Sequence, residues 1–172
     1  MEAPRPDDAR DTYVRWLAAQ GVAADAPIQE GTLQGAAGWR FFFVSPAPGQ
    51  KAHAAAVGEG LVVAARAPQG WRAFLGSGEL EARHAQVAWL YGAWGALAPD
   101  TAVTASVLAR HPEAATHLRA PERATDSAGQ LRFVGWFFEP PARVPFRYTI
   151  LATADGTTTF TRATAADLAV AP

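Results

Sequence analysis

Leu131-Arg132-Phe133-Val134-Gly135-Trp136-Phe137-Phe138 (131–138) is the stretch that decides the fold of this chain. Aromatic and β-branched side chains suit a pleated, half-buried surface, so the run reads as a strand of a sheet core. Strand alternation sets Leu131, Phe133, Gly135 and Phe137 on one face and Arg132, Val134, Trp136 and Phe138 on the other. Gly38-Trp39-Arg40-Phe41-Phe42-Phe43-Val44 has the same character, with Arg40, Phe42 and Val44 opposing Trp39, Phe41 and Phe43. Gly70-Trp71-Arg72-Ala73-Phe74-Leu75 repeats its Gly-Trp-Arg-x-Phe start, but no further copy appears at that period, which argues against a solenoid.

Outward from these runs the chain reads as one α+β domain over residues 1–172, built on an antiparallel sheet of about seven strands. Asp7 or Asp8 caps an N-terminal helix carrying Tyr13, Trp16 and Leu17 at helical spacing, and Gly21 stops it. Ile28–Leu33, Trp39–Val44, Lys51–Val57, Leu61–Arg66 and Trp71–Leu75 then read as a meander, punctuated by Gly- and Pro-containing turns. The last segment is equally compatible with the opening of a helix.

Glu79–Ala98 carries two apolar stripes, one with Leu80, Val87, Leu90 and Trp94, the other mostly alanine. A helix apolar on both sides is expected to be buried, here as an insert packed on the sheet. Asp100 or Thr101 caps a further helix through Arg110, Pro112 interrupts the pattern, and Glu113–Leu118 adds a short turn of helix. Ala120–Gly129 is polar and reads as a mobile loop. Phe146–Ala154 and Thr157–Arg162 form a hairpin through Asp155-Gly156, and Thr164–Val170 closes the chain as a short helix.

Composition bounds the function. Hydrophobic residues make up 49% and charged residues 18% of the chain, favouring a large buried fraction or an apolar partner-facing patch. Fifteen basic and sixteen acidic residues give a formal charge of −1, without the basic excess expected of a nucleic-acid binder. The absence of cysteine excludes disulfides, thiolate metal sites and cysteine nucleophiles. The N-terminus shows no signal-peptide pattern, and the uncharged run 87–98 is too short to span a bilayer. The expected location is cytoplasmic by default, and a mature envelope or secreted domain remains compatible.

Motifs for chemistry are sparse. Neither G-x-S-x-G nor a phosphate-binding glycine loop occurs, so no cofactor is expected. His111 and His117 flank Glu113 across a proline with poor spacing for one helical face, and no metal site is expected. His84, on the apolar face of a helix, reads as a core histidine or a proton shuttle. Glu30 and Glu139 are carboxylates without a local role, and across a pocket they would suit acid–base work.

The remaining constellation is arginine over aromatics: Arg40, Arg132, Trp136 and Arg147 on strand faces turned from the core. Such a face can anchor a partner protein or hold an anionic or planar ligand. Equally, each arginine can lie over apolar neighbours at a strand end. The expected function is a non-catalytic protein-interaction module: an accessory subunit, adaptor or chaperone-like protein. Two alternatives stand beside it. One is a small-ligand domain with an apolar pocket between sheet and helix; the other is an enzyme of unfamiliar type using Glu30, Glu139 or His84.

Overall fold

The computed structural model describes residues 6–23, 25–35, 37–44, 53–67, 69–92, 95–139 and 143–170. After helix α1 (Pro6–Ala19), strands β1 (Ile28–Gly31), β2 (Arg40–Val44), β3 (Ala55–Gly58) and β4 (Leu61–Val63) form an antiparallel meander in chain order. Helices α2 (Trp71–Leu75) and α3 (Leu80–Leu90) lead to β5 (Gly95–Leu97), followed by α4 (Ala102–Arg110) and a 3₁₀ turn at Pro112–Ala114. A second antiparallel sheet contains β5, β6 (Glu122–Thr125), β7 (Leu131–Glu139), β8 (Val144–Ala152) and β9 (Thr158–Ala163); α5 (Ala165–Val170) follows it. The fold is therefore α+β, but its strands divide between two sheets of four and five rather than one of about seven.

The division follows from which faces need cover. Phe41 and Phe42 are adjacent on β2 and point to opposite faces, yet both are buried. Phe42 and Val44 pack with Tyr13 and Leu17 of α1, while Phe41 packs with Phe74, Val87, Leu90 and residues of β7 and β8. Helices α2 and α3 thus lie between the sheets: Trp89 meets Phe41 edge-on at 5.7 Å, and His84 stacks on Tyr148 of β8 at 5.7 Å. The far face of the second sheet buries Leu97, Trp136 and Phe138 under Val107, Ala114, Leu118 and Ala165. An insert apolar all round is what a helix between two sheets requires.

Two segments differ from expectation, and a third, left open between strand and helix, is settled. Trp71–Leu75 is a helix because Gly70 takes a left-handed conformation, φ 88°, that turns the chain. Helical spacing then buries Trp71, Phe74 and Leu75 together, where strand alternation would have split them, and the Trp71 indole donates to Ala64 O at 3.2 Å.

The helix expected over Glu79–Ala98 ends at Leu90. Gly92, at φ +71°, closes it, and Gly95–Leu97 is captured as β5 along β7, with Leu97 opposite Trp136. Trp94 lies outside the described residues. Within 120–129, Glu122–Thr125 forms β6 against β7, and the turn after it is closed by Asp126, whose Oδ1 accepts from the amides of Ala128 and Gln130. The hairpin holds as expected: β8 and β9 pair from Ala152–Thr158 to Arg147–Ala163, with Gly156 at φ +91° in the turn.

Candidate binding surface

The buried polar side chains are built into the core. His84, only 2% exposed, binds through both ring nitrogens: Nε2 lies 2.9 Å from Leu97 O and Nδ1 2.7 Å from the Tyr148 hydroxyl. A carbonyl only accepts, so Nε2 carries the hydrogen and Tyr148 donates to Nδ1. Burial lowers the His84 pKa below its ordinary value and pushes the Tyr148 phenol well up, so both are neutral. Strand β7 comes so close that a Cβ at Gly135 would stand 2.6 Å from His84 Nδ1 and 2.7 Å from the Tyr148 oxygen.

Arg83 is also buried. Its Nε donates to Phe74 O at 2.8 Å and Ser77 O at 2.9 Å, and its guanidinium lies 4.2 Å from the Phe74 ring centroid. Arg123 reaches the same segment, donating to Leu75 O and Gly78 O at 3.0 and 3.1 Å. Two cations thus satisfy carbonyls at the end of α2 and just after it. Burial, with Arg123 nearby, lowers the Arg83 pKa. Its position in α3 gave no sequence signal, since arginine at that spacing reads as a solvated side chain.

Glu30 and Glu139 stand on different sheets, each engaged by an arginine. Glu30 takes a two-pronged hydrogen bond from Arg40, 2.7 and 2.6 Å, which is the main reason its pKa falls below the usual carboxylate value. Glu139 pairs with Arg162, whose guanidinium also lies over the Phe137 and Phe146 rings at 5.2 and 4.8 Å. His111 Nδ1 lies 3.4 Å from Glu113, and no cluster of three His, Asp or Glu side chains forms among the described residues.

Of the arginine–aromatic set, Arg132, Trp136 and Arg147 share one face of the second sheet, and Trp136 is directly opposite Arg147. Arg40 belongs to the first sheet, over the Phe42 ring at 5.3 Å. Trp136 is buried beneath the α4 and α5 layer, and Arg147 is half-buried. Arg132 is exposed, 3.8 Å from Glu122.

By register, the same face continues past the helices through Ala124, Thr149, Leu151, Thr159 and Thr161. Of these, Ala124, Thr159 and Thr161 are exposed, and Thr149 and Leu151 half-buried.

That face ends at β9, the outermost strand, which pairs with β8 and with no other strand among the described residues. Thr153 N donates to Thr157 O at 2.9 Å. Antiparallel ladders alternate bonded and non-bonded pairs, so Leu151–Thr159 and Thr149–Thr161 are bonded pairs. Thr158, Phe160 and Arg162 therefore turn their backbone N–H and C=O groups outward.

No helix among the described residues is long and apolar enough to cross a membrane. Searches against family models, curated proteins and solved structures find no match to this chain.

Proposed function

We propose that this protein is an interaction module that accepts an extended segment of a partner protein along β9. The observation supporting this reading is the contrast between β9 and the other sheet edges. Natural sheets blunt their edges with very short strands, charges, prolines or bulges. Here β1 has four residues with Glu30 among them, β4 and β5 have three each, and β6 has four with Glu122 and Arg123. By contrast β9 runs six residues, Thr-Thr-Phe-Thr-Arg-Ala, in unbroken register, without proline and with a single charge near its end.

A strand added there would gain main-chain hydrogen bonds from Thr158, Phe160 and Arg162. Alternate side chains of the added strand would lie over the open face, where Thr149, Leu151, Thr159 and Thr161 favour β-branched neighbours. Arg132 stands two strands farther in, on β7, and is held by Glu122 rather than facing the added strand. This is an adaptor-like role, and it uses the exposed threonines at the edge of the expected binding face rather than the buried Trp136.

Selection of displayed peptides on the full chain tests it. Peptides so obtained are expected to bind with affinity lost in Thr158→Pro. Proline there removes an outward N–H and no ladder bond, so stability is retained. Full binding by a folded T158P protein would overturn the reading.

A further inference from the structure

An open cleft of about 440 Å³ lies where α2, the start of β4 and the second sheet meet, lined by Leu61, Arg72, Ala73, Leu131, Ala154 and Gly156 among others. We propose that it binds a small organic anion: a carboxylate carrying a short apolar tail. This site is independent of strand docking on β9.

The chemistry follows from Arg72. Its Nε and Nη2 both donate to Gly129 O, at 3.3 and 3.0 Å, which fixes the guanidinium against the β6–β7 turn. Arginine has five N–H donors, so three of them lack a protein acceptor among the described residues. The two carboxylates on neighbouring turns are engaged elsewhere. Asp126 Oδ1 accepts from the amides of Ala128 and Gln130, both at 2.9 Å, and Asp155 Oδ1 accepts from Thr157 N at 3.0 Å and from the Thr153 hydroxyl. Arg72 is thus an exposed, pre-oriented cation without a salt bridge among the described residues, and a planar carboxylate matches its fork.

The rest of the lining selects the tail. Leu61 and Leu131 offer apolar surface, and small residues at Ala73, Ala154 and Gly156 leave the space open. The volume falls within the range of small-molecule sites, about 300–1,000 Å³. Among the described residues Arg72 is the single charged one in the lining, which favours a monoanion with apolar contacts over a phosphate dianion.

Amide NMR titration of the full chain with hexanoate tests this, with hexanol and inorganic phosphate as counter-probes. Hexanoate should shift Gly70, Ala73, Gly76 and Gly156 in a saturable way. Arg72→Gln should weaken it about tenfold or more, the loss expected for a hydrogen bond to a charged group. Ala154→Leu, a change at an exposed position, should block the cleft while leaving Arg72 and the thermal midpoint in place. Shifts centred elsewhere, equal binding of hexanol or phosphate, or hexanoate binding unchanged in both folded variants would overturn the assignment.

Discussion

Gly135→Ala should destabilise the protein far more than a single methyl group suggests, because the new Cβ has nowhere to go. It would stand 2.6 Å from His84 Nδ1, 2.7 Å from His84 Cε1 and 2.7 Å from the Tyr148 oxygen, all within the buried core. Forcing atoms apart in a packed interior costs about 1–3 kcal/mol. Separating the His84–Tyr148 pair leaves buried polar groups short of a partner, at a further cost of about 1–3 kcal/mol. An expected loss of about 2–6 kcal/mol follows from the two together.

The backbone itself does not resist alanine, since Gly135 has no positive φ. Urea unfolding followed by tryptophan fluorescence reads the loss. The decisive arm repeats the change in a His84→Ala, Tyr148→Phe background, with a stabilising osmolyte in every sample to keep that background folded. All three crowding atoms are then gone, so alanine should cost nothing or stabilise by about 0.4–1 kcal/mol through the unfolded chain. An equal loss in both backgrounds would refute the close approach of β7 to this pair.

The hairpin predicts that Gly156→Val, at φ +91°, lowers stability by about 1–3 kcal/mol, while Thr158→Val on the half-exposed strand face changes it little; equal urea midpoints for the two would count against the turn. Because burial holds His84 neutral in the fold below its ordinary value of 6.5, the unfolded chain takes up a proton there first. Stability is then complete above that value and falls as the pH drops through it, a slope that His84→Gln should remove from midpoints measured between about pH 8 and 5.5. Glu30 shows the acid-side counterpart: Arg40 holds its pKa down, so its contribution is present above the ordinary carboxylate value and lost at lower pH. For so exposed a pair the Glu30→Gln cost should be only about 0.2–1 kcal/mol at neutral pH.

Local signals carried most of the fold. Alternation along 131–138 placed each side chain of β7 on its observed face, and Asp155-Gly156 located the β8–β9 turn. Of the two caps the sequence offered, Asp100 and Thr101, it is Thr101 that caps α4, its side chain accepting from Thr104 N. What escaped was decided by distant parts of the chain. Apolar spacing continues from Leu90 to Leu97, so nothing local says that β7 will take residues 95–97 as a strand. Each residue of Glu122–Thr125 is exposed and the segment has no apolar alternation, because it is held by backbone pairing to β7 rather than by a buried face.

The proposed binding face was legible only in part. Alternation put Arg132, Trp136 and Arg147 together correctly, but the covering of Trp136 depends on α4 and α5 folding back over it. The outward polarity of β9 depends on the ladder phase set by the turn, which composition does not report.

Amide hydrogen exchange, resolved residue by residue with and without a selected peptide, tests strand docking most directly. The account predicts strong new protection at Thr158, Phe160 and Arg162, whose N–H groups point away from β8, with little change at Thr159 and Thr161, which are already bonded within the sheet. Protection absent from those three amides, with the peptide bound and protecting another surface, would contradict it.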